Sequence, residues 1–216
     1  MPTAPEPTYD LVVVAADSTM QRVVEVLLSE RAPSLRMRPV TFRVITMAEH
    51  DPGAARHAAE LLRECGLLFR HSIVLFDHEG CGRRESPEEL EQEHEEALGK
   101  VGLGGKGIAV CISPELETWL WSSSPLVYEE LRMSKEGIDS VLDGAGIPRD
   151  PTSGKPSRPR EAVEAVLRRT NRRFSATLHV AIAEKVGLGR CTDPAFIRFR
   201  QFLQERFGAK SGLGPS

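Results

Sequence analysis

Four short runs of aliphatic and β-branched residues alternate with segments of helical periodicity along the first half of the chain. This alternation constrains the fold more than any other feature of the sequence. The first run, Leu11-Val12-Val13-Val14-Ala15-Ala16, is continuously apolar, as a strand covered on both faces should be. The second lies within residues 40–46, the third is 72–76 and the fourth is Gly107–Ile112. Asp17, Ser18 and Thr19 offer N-cap chemistry for a helix running to about Glu30, with Val23, Val24, Val26, Leu27 and Leu28 as its apolar stripe and Pro33 beyond its end. A second helix is predicted over about 54–65, stopped by Gly66. A third, over 86–98, opens with Pro87 at its first position and with Glu88 and Glu89 where the helix dipole favours acids. The order β-α-β-α-β-α-β predicts an α/β fold, a parallel sheet of about four strands flanked by helices on both faces.

The remaining chain organises around this unit. Residues 1–8 read as a disordered leader and 9–142 as the α/β domain. Residues 143–159, rich in Gly, Pro and Ser, read as a loop or hinge. Helices over about 160–170, 175–186 and Pro194–Phe207 form a C-terminal segment packed on the sheet, and 208–216 reads as a flexible tail. There is no internal repeat.

The chain has 216 residues, 40% of them hydrophobic and 27% charged, enough for one domain with a core of its own. A formal charge of −3 argues against wholesale nucleic-acid binding, so any such contact must come from a local basic patch. No apolar run approaches the roughly 18 to 20 residues that span a bilayer, and the N-terminus lacks the pattern of a signal peptide. Cys65, Cys81, Cys111 and Cys191 have no metal-ligand spacing and read as reduced thiols of a cytoplasmic protein. There is no phosphate-binding P-loop, no GxGxxG and no GxSxG; the glycine-rich 102–107 precedes a strand instead of opening a helix.

The candidate chemistry lies where the strands end. The third run delivers Asp77-His78-Glu79-Gly80, and the fourth delivers Ser113-Pro114-Glu115-Leu116-Glu117-Thr118-Trp119. Carboxylates just beyond the C-terminal ends of buried parallel strands can share a divalent cation. On an extended chain Asp77 and Glu79 point to the same side, and Gly80 permits a tight turn. Glu117 sits beside Trp119, Leu120 and Trp121, where a carboxylate must cap, pair or coordinate. Asp17 either caps the first helix or supplies a further acid. The segment 155–173 is basic, and on a helix Arg168 and Arg169 with Arg172 and Arg173 make an i, i+4 stripe able to hold phosphates or to pair with acids elsewhere. Glu85, Glu88, Glu89, Glu91, Glu93, Glu95 and Glu96 read most simply as a solvated helix face, and otherwise as a dock for a basic partner.

Strand-helix-strand-helix-strand ending in DxE resembles the layout of the Toprim domain of topoisomerases, primases and OLD-family nucleases. The string Ser113-Pro114-Glu115-Leu116-Glu117-Thr118-Trp119-Leu120 is similar to the ELExWL segment of a small bacterial Toprim-like family. Asp193-Pro194-Ala195-Phe196-Ile197-Arg198-Phe199 is similar to that family's closing helix. Some members of the family act as nuclease effectors beside an ATPase in antiphage systems. The resemblance implies Asp77 and Glu79 as ligands of Mg²⁺ or Mn²⁺, with Glu117 as a further ligand or its positioner. It implies a metal-dependent nuclease acting on DNA or RNA, with a partner such as an ATPase. The family usually carries Glu-Gly at the end of the first strand, where this chain has Ala15-Ala16. The catalytic acid of that strand would therefore fall to Asp17. The other reading is a degenerate Toprim-like domain that binds or regulates within a defence complex.

Overall fold

In a computed structural model, which describes residues 6–122, 124–186 and 191–208, the four predicted strands form one parallel sheet. They are β1 (Tyr9–Ala15), β2 (Phe42–Thr46), β3 (Phe69–Asp77) and β4 (Gly107–Ile112), in the order β2-β1-β3-β4. The register pairs Val13 with Val44 on one side and Ile73 on the other, and Leu75 with Val110. Residues 11–16 are all buried, as an interior strand covered on both faces requires. Most of the expected leader and all of the expected tail beyond Gly208 lie outside the described residues.

Local chemistry sets the connecting helices α1 (Ser18–Ser29), α2 (His50–Cys65) and α3 (Pro87–Lys100). The Asp17 carboxylate accepts the Met20 N–H at 2.8 Å and so caps α1. Ser86 and Glu89 form a reciprocal capping box at the start of α3. α2 begins four residues earlier than the periodicity suggests. Pro52 falls in its first turn, where proline is tolerated because the N–H groups there have no helical partner anyway. The right-handed connection rule places α1 on one face of the sheet and α2 and α3 on the other.

Two helices not anticipated from sequence, α4 (Pro125–Leu131) and α5 (Lys135–Gly144), precede α6 (Pro159–Arg169), α7 (Ala176–Lys185) and α8 (Pro194–Phe207). Of the three helices expected to pack on the sheet, α8 does so against β4, while α7 lies against α1 and α4. α6 belongs to a second apolar core, which α4, α5, α6 and α7 close around Trp121, Ile138, Val163 and Ile182. The intervening 145–158 is irregular, as its composition predicts, but it is tied down. Ile147 is buried, Lys155 pairs with Asp193, and the Trp121 indole N–H reaches the Pro159 carbonyl at 2.9 Å.

The exposed edge of β4 is covered by a clasp. Glu91 of α3, expected on a solvated face, is only 8% exposed, and its Oε1 accepts the Cys111 N–H at 3.0 Å. Arg198 of α8 donates Nε to the Ala109 carbonyl at 2.9 Å and pairs with Glu91 at 3.2 Å and with Glu95. Two backbone groups on the free edge are thereby satisfied, which blocks pairing with another chain. Glu91→Ala should cost about 1–3 kcal/mol, since it strands the buried Cys111 amide, while Arg198 keeps the Ala109 carbonyl and Glu95. Glu91→Gln, which keeps the acceptor, should cost less. Urea midpoints that fall equally for the two variants would exclude this role.

Candidate functional site

The order β2-β1-β3-β4 sends the connection after β1 to one face and the connection after β3 to the other. In open α/β sheets this parting of neighbouring strands is where ligand crevices form, outside the C-terminal ends of the strands. Each strand delivers a carboxylate to this edge: Asp17 after β1, Asp51 after β2 in the first turn of α2, Asp77 at the end of β3, and Glu115 and Glu117 after β4. The edge is held rigidly. Ladder bonds continue past the strands, from His78 N–H to the Ile112 carbonyl and from Glu79 N–H to the Pro114 carbonyl, both at 2.8 Å.

Asp77 is the centre of this group. Its backbone N–H donates to Asp51 Oδ1 at 2.8 Å, while its own side-chain Oδ1 is buried with no hydrogen-bond partner among the described residues. Burial, and then the charges of Asp51, Glu117, Glu115 and Asp17, push the Asp77 carboxyl well above the ordinary range. Burial likewise raises Asp51, against the Asp77 N–H that lowers it. Glu115 is pushed up to about 7, first by burial and then by Glu117 and Glu79, despite the Arg160 N–H at 2.8 Å on its Oε1. Carboxyls with raised proton affinity concentrated in one crevice are the electrostatic mark of a functional site.

The predicted residues separate on inspection. β3 ends at Asp77, so the extended geometry expected to carry Glu79 to the same side stops there. Glu79 lies exposed in a turn that Gly80, at φ 103°, allows. Asp17 lies within electrostatic reach of Asp77 and spends Oδ1 on its cap. Glu117 is buried and accepts from His179 Nε2 of α7 at 3.1 Å. That bond belongs to a larger pattern in which alternate residues of 115–121 bond the starts of α6 and α8 and the body of α7. Glu115 holds the start of α6, Glu117 holds α7, Trp119 donates to Asp193 at the start of α8 at 3.0 Å, and Trp121 bonds Pro159. The ELExWL-like string thus bolts the sheet to the second core.

The expected arginine stripe does not form. α6 ends at Arg169, and Asn171 takes a left-handed φ of 52°, which rotates Arg172 and Arg173 out of line with Arg168 and Arg169. Arg168 pairs with Glu164, and the Arg172 guanidinium donates to the Glu130 carbonyl. The arginine nearest the acidic crevice is Arg160, which lies within reach of Glu115 and Glu117 and covers the Phe174 ring at 5.2 Å.

Asp51 and His179 were missed. Asp51 lies ahead of the predicted start of the second helix, at about residue 54, and in the structure falls in the first turn of α2. His179 carried a usable signal, as a polar residue within the apolar run Leu178-His179-Val180-Ala181-Ile182, the same signal that marked Glu117. Among the described residues no three His, Cys, Asp or Glu side chains are gathered closely enough to hold a metal ion, and no helix is long and apolar enough to cross a membrane. Family models, curated proteins and solved structures gave no match to this chain, so its reading rests on its own residues and geometry.

Proposed function

We propose that the crevice binds Mg²⁺ or Mn²⁺ and hydrolyses phosphodiester bonds of nucleic acid. The observation that carries this reading is the buried, unpartnered Oδ1 of Asp77 amid four neighbouring carboxyls at a strand-end crevice. Hard oxygen donors suit these cations, and Mg²⁺ commonly takes only one or two carboxylates, leaving its other positions to water and substrate phosphate. Asp77 and Asp51 fit that need without a three-residue cage. When bound, the cation would lower the proton affinity of water and neutralise charge on the phosphate.

The remaining roles fall to the chain's own groups. Glu115, with its carboxyl near 7, is suited to carry a proton on Oε2 while Oε1 stays with the Arg160 N–H. It supplies the acid–base group that Ala15-Ala16 lacks. The Arg160 guanidinium, which pairs with Glu164 at 3.3 Å and lies over Phe174, would hold a substrate phosphate at the rim. Glu117 and Asp17 position the edge through His179 and the cap of α1. The likeness to antiphage effectors extends the proposal to a partner such as an ATPase.

The test is cleavage of double-stranded DNA and of RNA with Mn²⁺ or with chelator. Wild type should cut only with metal, and Asp77→Ala should lose at least about a hundredfold in rate. Equal rates in the two proteins would dispose of the reading. A second reading, a domain that keeps the fold and only binds, is favoured by the buried Ala15 and Ala16 where the resembled family has Glu-Gly. It would stand if no cleavage occurs and Mn²⁺ leaves the melting temperature unchanged.

A further inference from the structure

A cavity of about 390 Å³ opens between α1, the 116–122 segment, α7 and the start of α8. This is within the size range of small-molecule sites. Its walls are mostly apolar: Leu27, Trp121, Ile182 and Phe196 are among them. Lys155, with Ser153 and Thr192, also lines a second cleft of about 320 Å³, whose walls include the hydroxyls of Thr118 and Ser157 and the carboxylates of Asp150 and Asp193. An apolar chamber with an ammonium group in its wall has the polarity profile of an amphipathic anion.

The ammonium has capacity to spare. Lys155 is 13% exposed, and among the described residues Nζ makes one contact, to Asp193 Oδ2 at 3.3 Å. Asp193 has further partners on its other oxygen. Its Oδ1 accepts the Trp119 indole N–H at 3.0 Å and the Phe196 N–H at 3.1 Å, at the N-terminus of the 14-residue α8, where the helix dipole favours a carboxylate. An ammonium has three donors, so two N–H groups of Lys155 remain for a ligand. We propose that this cavity binds a small amphipathic anion, its apolar body between α1 and α7 and its carboxylate or phosphate head on Lys155.

The chain's two tryptophans, Trp119 and Trp121, both line the cavity, so intrinsic fluorescence reports its occupancy. The probes are decanoate, decyl phosphate and decanol, each titrated below its aggregation limit into the full chain. Saturable fluorescence changes with one or both anions, and at least about tenfold weaker binding of decanol, are expected. Which anion binds more tightly identifies the head group. Lys155→Gln should bring the anions down to the level of decanol. Ala183→Phe, which fills the chamber from α7, should abolish binding of all three, with circular dichroism confirming that each variant is folded. Equal binding of decanol and decanoate, or anion binding unchanged in Lys155→Gln, would overturn the proposal. So would the absence of any saturable change in wild type. None of these outcomes depends on whether the acidic crevice cleaves nucleic acid.

Discussion

Glu117→Ala is expected to lower the free energy of unfolding by about 3–5 kcal/mol, a large share of the stability of a domain this size. The His179 side chain is fully buried, and its Nε2 has Glu117 Oε1 as its partner at 3.1 Å; Nδ1 faces the Ser175 carbonyl at 3.4 Å. Removing the carboxylate leaves a polar ring nitrogen facing a new void at the junction of the two cores. Glu117→Gln keeps an acceptor oxygen and should cost only about 1 kcal/mol, the loss of charge assistance. The reverse deletion, His179→Ala, should be as damaging as Glu117→Ala, because it leaves a buried carboxylate alone. The double variant Glu117→Leu, His179→Phe should recover most of the loss, since a buried pair is worth little over a well-packed apolar one. Urea unfolding of the four variants settles the matter. Additive losses, with no recovery in the double variant, would show that the two side chains do not act as a pair.

The alternation of apolar runs with helical segments carried the sheet, because a buried parallel strand must be apolar on both faces, as the short runs 11–16 and 107–112 are. It also carried the caps of α1 and α3 and the bounds of α8, which depend on residues within a few positions of one another. What escaped it was long-range. Asp51 meets Asp77 across 26 residues, Glu117 meets His179 across 62, and Arg198 meets the Ala109 carbonyl across 89. Composition alone makes Glu91 a surface acid; only the free edge of β4 explains its burial. α4 and α5 escaped it differently. α4 is only seven residues long, has no side-chain cap and is held by the second core, whereas α5 carries a local signal, the Ser134 hydroxyl accepting the Gly137 N–H at 3.2 Å. The string resembling ELExWL was legible as unusual, and of the roles left open for Glu117, to cap, pair or coordinate, the structure shows a pair with His179.

Asp77→Asn should make the metal-free protein more stable at neutral pH, by about 1–3 kcal/mol, an uncommon direction for a substitution at the end of a central strand. The folded state holds the Asp77 proton more tightly than the unfolded chain does, because of burial and the surrounding Asp51, Glu117, Glu115 and Asp17. Its contribution is therefore fully present below the unfolded value of about 4 and is lost as pH rises through the raised folded value. Asparagine has no proton to lose, keeps the backbone N–H bond to Asp51, and brings amide donors into a crevice of acceptors. The stability gap between variant and wild type should therefore be near zero at about pH 4 and widen toward pH 8. His94 and His71, whose burial lowers their proton affinity, erode stability as pH falls below about 6.5. They do so equally in both proteins and cancel in the difference. Mn²⁺ should raise the melting temperature of wild type, by relieving the repulsion around Asp77, and leave that of Asp77→Asn almost unchanged. A variant less stable than wild type at pH 8 in chelator, or a gap that does not vary with pH, would mean that Asp77 is already satisfied in the folded protein. The cation proposal would then lose the observation that carries it.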